Sequence, residues 1–172
     1  AIWRCYQGQR VSEDVDVFIP RDVEKINVYF SNLERAGFTL ERKKIGENSI
    51  YSTLRFQRAT VRFEAVFKHE DTILGMYENT DGNFVPVYTF TPERFIQGKV
   101  EAYLNRRKIR DLYDIFFLLP QIQEKEKIKA ALQKLLHHYQ PPLDEKELQV
   151  FILEGVAPPS QKMKEFIEHY GG

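Results

Sequence analysis

The segment Arg10-Val11-Ser12-Glu13-Asp14-Val15-Asp16-Val17-Phe18 constrains the fold more than any other, because it sets two carboxylates two residues apart inside a β-branched run. A run of this kind reads as a strand. Successive strand side chains alternate between faces, so Asp14 and Asp16 share one face while Val15, Val17 and Ile19 take the other and can pack on a core. Two like charges on one face repel and lose hydration, at a cost on the order of a few kcal/mol unless a positive charge lies between them. Mg²⁺ prefers hard oxygen ligands and is commonly held by one or two carboxylates plus substrate phosphates, so metal-dependent phosphate chemistry is the expectation.

The pattern after this strand alternates between the two regular periods. Arg21 to Ala36 carries Val23, Ile26, Phe30 and Leu33 at helical spacing, with Gly37 placed to end the helix. Phe38–Lys44, Ile50–Phe56 and Thr60–Phe67 read as strands joined by loops short enough for antiparallel hairpins, and another short strand is expected at Ile73–Tyr77. In the strand ending at Phe67, Val61, Phe63, Ala65 and Phe67 alternate with Arg62 and Glu64, so Glu64 stands opposite the aromatic side. If that strand neighbours the first, Glu64 joins Asp14 and Asp16 in a three-carboxylate cluster. His69 follows closely, in a stretch that reads as a solvated loop.

From Val85 onward the chain passes through one short strand and becomes helical. Thr91-Pro92-Glu93 opens a helix, with Thr91 as N-cap and Pro92 at the first helical position. Further helices are expected over Arg110–Leu119, Ile128–Tyr139, near Glu145–Leu153, and from Ser160, which is read as its cap. The expected division is an α/β core over residues 1–87 and a helical region over 88–172.

Composition narrows the functional classes. The 172 residues carry 25 Lys plus Arg against 25 Asp plus Glu, so no global charge draws the chain to nucleic acid or membrane. There is no apolar run of membrane-spanning length, no signal-peptide pattern and no Cys or His spacing that suggests zinc. Cys5 is the single cysteine, which excludes an internal disulfide, fits a reducing cytoplasm and reads as a small core residue. Ala1–Tyr6 reads as the last turns of an apolar helix, and further residues are expected upstream of it.

Three stretches together resemble a known family: Arg10-x-Ser12-x-Asp14-x-Asp16, the acidic strand Val61-Arg62-Phe63-Glu64, and Lys99-x-x-Ala102-Tyr103-x-x-Arg106-x-x-x-Arg110-Asp111-Leu112-Tyr113-Asp114. Their order and spacing are similar to those of the AbiEii/AbiGii nucleotidyltransferase toxins. The resemblance implies an α+β fold of the polymerase-β-like nucleotidyltransferase type, a mixed sheet flanked by helices and followed by a C-terminal helical half. It also implies catalytic and metal-holding roles for Asp14, Asp16 and Glu64, with Mg²⁺ or Mn²⁺. Nucleotide contacts are implied for Lys99, Arg106, Arg110 and Asp111, with Arg10 and Ser12 as candidate phosphate contacts. The partners implied are an NTP, an RNA (a tRNA end by analogy) or protein acceptor, and an antitoxin. The family's Gly-Gly or Gly-Ser turn, which grips the triphosphate, would fall before Ala1.

The residues read alone keep alternatives open. Arg10 can pair with Glu13 or Asp14, and Ser12 can make a turn hydrogen bond. Asp111 and Asp114 open a helix, where its dipole favours carboxylates, so pairing with Arg107 or Arg110 competes with a catalytic role. For the whole chain, a metal-dependent nuclease and a non-catalytic nucleotide- or partner-binding module are the competing expectations.

Overall fold

The structure is a computed structural model and describes residues 1–12, 14–153 and 155–171. In chain order its elements are α1 (Ile2–Tyr6), β1 (Asp14–Ile19), α2 (Val23–Arg35), β2 (Thr39–Ile45), β3 (Ser49–Phe56), β4 (Ala59–Phe67), β5 (Ile73–Glu78), β6 (Phe84–Thr89), α3 (Pro92–Arg106), α4 (Ile109–Leu118), α5 (Lys125–His137), α6 (Leu148–Phe151) and α7 (Ser160–Gly171). They form two compact units, one of residues 12–71 and one of residues 1–11 with 72–172. The chain is α+β with a mixed sheet and a helical C-terminal part, the class expected from its sequence.

In the first unit four strands lie in the order β1-β4-β3-β2. The β2-β3-β4 meander is antiparallel, as its short loops require, whereas β1 pairs parallel with β4 and reaches it through α2 and the meander. Asp22 starts α2 by accepting the Lys25 N–H at 3.1 Å. Gly37 ends it at φ 93°, a left-handed conformation natural to glycine. There the Gly37 and Phe38 N–H groups donate to the carbonyls of Glu34 and Leu33. The helix lays Ile26 and Phe30 on Ile50, Leu54, Phe63 and Ala65 from one sheet face. Burying a ring such as Phe30 stabilises by roughly 1.5–3 kcal/mol. Val17 and Ile19 join this core, but Val15 remains 44% exposed, contrary to its expected burial, because β1 is an edge strand and Val15 lies near its open start.

In the second unit α3, α4, α5 and α7 bury Ile96, Tyr103, Leu112, Ile115, Leu132 and Met163 in one core, while β5 and β6 form a separate antiparallel hairpin. This division differs from the expected boundary near residue 87. The hairpin belongs with the helices, and so does α1. Ile2 and Tyr6 pack against the helical core, and the Tyr6 hydroxyl donates to the Phe90 carbonyl at 2.5 Å. The packing of residues 84 apart decides this, and local composition does not reveal it.

Helix starts in this unit are secured both locally and from a distance. Thr91 accepts the Arg94 N–H at 3.3 Å and Pro92 follows it, as the sequence indicates. Thr91→Ala is expected to lower stability by about 1 kcal/mol in urea denaturation, with an unchanged m-value. The starts of α4 and α5 use acids distant in sequence. Asp144 accepts the Ile109 N–H at 2.7 Å, and Glu93 accepts the Gln123 and Glu124 N–H groups at 2.6 and 3.1 Å. Burial acts to raise the Glu93 carboxyl, but its backbone N–H donors outweigh that and hold it below the usual range. Ser160 does not act as the cap expected for α7. It is the first residue of that helix, and its N–H donates to Glu145 at 2.7 Å.

Candidate active site

The parallel register places Asp14 abreast of Arg62 and Asp16 abreast of Glu64. Because Phe63 and Ala65 point into the α2-covered core, Arg62 and Glu64 occupy the opposite face, and Asp14 and Asp16 share it. The next strand extends the row, since Tyr51 pairs with Glu64 and Lys44 with Tyr51. Asp16 and Glu64 are both exposed like charges on adjacent strands, whose backbones run about 4.8 Å apart. Such pairs are destabilising in a sheet.

Asp14 is already neutralised. Arg62 donates to it through Nε and Nη2 at 2.6 and 3.0 Å. Among the described residues no three His, Cys, Asp or Glu side chains converge as a metal cluster, so the expected three-carboxylate centre is not preassembled. Arg62 supplies Asp14 with the positive charge that the sequence reading assigned to a cation. The chemistry of the donor set still suits a hard divalent ion. Asp16 and Glu64 offer exposed carboxylate oxygens, the ligand type such an ion prefers.

The third sequence motif builds a separate ionic network in the helical unit. Asp111 and Asp114, 0% and 2% exposed, lie one turn apart on α4. Arg106 grips Asp111 with two hydrogen bonds of 2.7 and 2.8 Å, and Arg10 grips Asp114 with two of 2.9 and 2.7 Å. Lys99 bridges them, with its Nζ 3.3 Å from Asp111 and 2.7 Å from Asp114. Burial works to raise the Asp114 carboxyl, yet Lys99 and Arg10 prevail and hold it below the usual carboxylate range. These partners replace the expected ones. Arg10 pairs with Asp114 rather than Asp14, and the Asp111 and Asp114 carboxylates take Arg106, Lys99 and Arg10 rather than Arg107 or Arg110. Arg106 lies five residues before Asp111, whereas Arg10 and Asp114 are 104 apart and are brought together by packing. Glu13, the other partner considered for Arg10, lies outside the described residues.

The Lys99 and Arg106 side chains are 22% and 47% exposed, so both of these cations of the network reach solvent. Arg110 is half-buried and makes no ion pair among the described residues. The Ser12 hydroxyl donates to the Asp14 carbonyl at 3.3 Å, a turn hydrogen bond. His69 is exposed in a loop, and Cys5 is a free, partly buried thiol. No helix among the described residues is long and apolar enough to cross a membrane.

Two residues of this arrangement escaped the sequence reading in their present roles. Arg62 stood as a polar position in the acidic strand motif and not as a partner of Asp14. Asp114 stood as a motif acid at a helix start, whose expected partners were Arg107 or Arg110 and not Arg10. The alternation of Arg62 with Glu64 was the available signal for the first. The match of Arg10 to Asp114 leaves no local signal.

A search of curated proteins finds no match. The family described as "Nucleotidyl transferase AbiEii toxin, Type IV TA system" matches residues 1–172, the whole chain. That family comprises nucleotidyltransferase toxins of type IV toxin–antitoxin systems. With the two aspartates on the open face of a mixed sheet and the Lys-Arg-Asp motif folded into one network, the chain belongs to the AbiEii nucleotidyl transferase toxin family.

Proposed function

We propose that the chain transfers an NMP group from an NTP to a hydroxyl of RNA, using Mg²⁺ or Mn²⁺, as the cytoplasmic toxin of a pair with an antitoxin. The observation that carries this reading is the β1/β4 register, which keeps Asp16 and Glu64 side by side in solvent on the face that Asp14 also occupies. A fold gains nothing in stability from that juxtaposition, so it calls for a ligand that uses it. Asp14, Asp16 and Glu64 would hold the metal, which when bound stabilises negative charge on the attacking and departing oxygens.

The rest of the reaction falls to the chain's own groups. The acceptor hydroxyl attacks the α-phosphorus, its proton passes to Glu64, the new P–O bond forms, and pyrophosphate leaves with the bonding pair. Arg62, released from Asp14, becomes a cation beside the same carboxylates. Lys99 and Arg106 supply the exposed positive charge suited to nucleotide phosphates, while Asp111 and Asp114 hold these cations in place.

The test is incubation of the protein with RNA and an NTP labelled at the α-phosphate. Label is expected on the RNA with Mg²⁺ or Mn²⁺ and is expected to disappear with EDTA. Label appearing on protein instead would change the acceptor. Shortened RNA without label would make the chain a nuclease, and NTP binding without turnover would make it a binding module.

A further inference from the structure

We propose that a cavity in the helical unit, bordered by Arg107, Lys134, His137, His138 and Tyr139, binds a phosphate group carried by a nucleotide or by RNA. The cavity measures about 540 Å³ and is formed by residues of α3, α5 and the segment that follows each. None of its cationic residues takes part in the Asp111/Asp114 network described above.

Arg107 is the strongest evidence. It ends α3 at φ 51°, the left-handed region that glycine or asparagine ordinarily fills. The fold holds it there on both sides, since its N–H donates to the Tyr103 carbonyl at 2.7 Å and its carbonyl accepts the Leu143 N–H at 3.0 Å. The Arg107 residue fixed in this way is one of those that line the cavity. Its Nη1 donates to the Gln140 side-chain oxygen at 2.5 Å, but its Nε is buried with no hydrogen-bond partner among the described residues. That Nε is sealed from solvent, whereas Nη2 is not buried and makes no hydrogen bond among the described residues, so it is the guanidinium donor open to an anion.

The surrounding groups define the ligand. Lys134 pairs with Glu101 at 2.7 Å, so the one carboxylate of the lining is neutralised and Arg107 leaves a net positive charge. His137 Nδ1 lies 3.3 Å from His138 Nε2, and the rings stand nearly perpendicular, at 75°. One ring therefore donates to the other while further ring nitrogens remain for a ligand. Two histidines alone would suit a metal, but an arginine and a lysine beside them oppose a cation and favour an anion with several acceptor oxygens. Tyr139 stacks on buried Tyr103 at 6.0 Å and presents an aromatic border next to the charged groups. That combination fits phosphate attached to a nucleoside better than a bare carboxylate.

The chain has four histidines, His69, His137, His138 and His169, so ring NMR provides its own controls. The full chain is titrated separately with inorganic phosphate, AMP and a short single-stranded RNA. Saturable shifts of His137 and His138, with His69 and His169 unmoved, are expected for at least one probe. Tighter binding of AMP than of phosphate identifies a nucleotide, and tightest binding of RNA identifies its backbone. The exposed double substitution Lys134→Ala with His137→Ala, read on His138, should weaken binding at least tenfold without disturbing the fold. The proposal fails if no probe moves these rings, if all four histidines move together, or if the double variant binds as tightly. The readout needs no turnover, so it stands apart from the transfer reaction.

Discussion

Asp16→Asn is expected to reduce nucleotidyl transfer by a factor on the order of 10²–10³, the usual loss when one group that stabilises developing charge is removed. The same variant should fold as stably as the parent or slightly better. Asp16 is exposed and lies abreast of Glu64, so removing its charge relieves a cross-strand repulsion worth a few tenths of a kcal/mol. Activity and stability moving in opposite directions would mark a carboxylate kept for chemistry. Asp14→Asn should also abolish transfer but forfeits the Arg62 pair, worth at most about 1 kcal/mol at its partial exposure. Paired measurements of labelled-NMP transfer and urea denaturation check both variants. Parent-level transfer by either one would remove the strand carboxylates from the mechanism.

Asp114→Asn is expected to have the larger effect on folding, a loss of about 3–5 kcal/mol. The variant leaves Arg10 and Lys99 facing a neutral amide in a site where Asp114 is only 2% exposed. That loss is a large fraction of the roughly 5–15 kcal/mol that stabilises an ordinary domain. It also loosens the segment before β1. The Arg10 side chain is tied to Asp114, the Val11 N–H donates to the Phe151 carbonyl, and the Leu153 N–H donates to the Gln9 carbonyl.

The pH dependence has a definite sign. The Asp114 carboxyl titrates below its unfolded value because Lys99 and Arg10 outweigh burial. Its contribution is therefore complete above about pH 4 and is lost as pH falls through the lower folded value, by at most about 1.4 kcal/mol per pH unit for one proton. The parent should lose stability over that window, and the Asn variant should lack this share of the acid sensitivity. Urea midpoints measured from pH 7 down to pH 3 check it, and a variant as acid-sensitive as the parent would contradict the assignment.

Much of the architecture is legible because it rests on short-range rules. The 3.6-residue spacing of Ile26, Phe30 and Leu33, the Thr91-Pro92 start and the Gly37 stop each act within a turn or two of chain. Alternation of Phe63 and Ala65 with Arg62 and Glu64 likewise assigns faces before any neighbour is known. The candidate site was legible to the same depth, since sequence places Asp14 with Asp16 and sets Glu64 on the polar side of its own strand.

The amino-acid order thus determined the elements, their apolar faces and the family motifs, all properties of residues close together along the chain. Tertiary structure decided the rest. It set β1 parallel against β4, gave Asp14 to Arg62 and Asp114 to Arg10, drew α1 and the β5–β6 hairpin into the helical unit, and capped α4 with Asp144. Each of these choices joins residues dozens of positions apart, where several cations or N–H groups could satisfy the same carboxylate. Only the packing of the apolar faces fixes which one arrives within hydrogen-bonding distance.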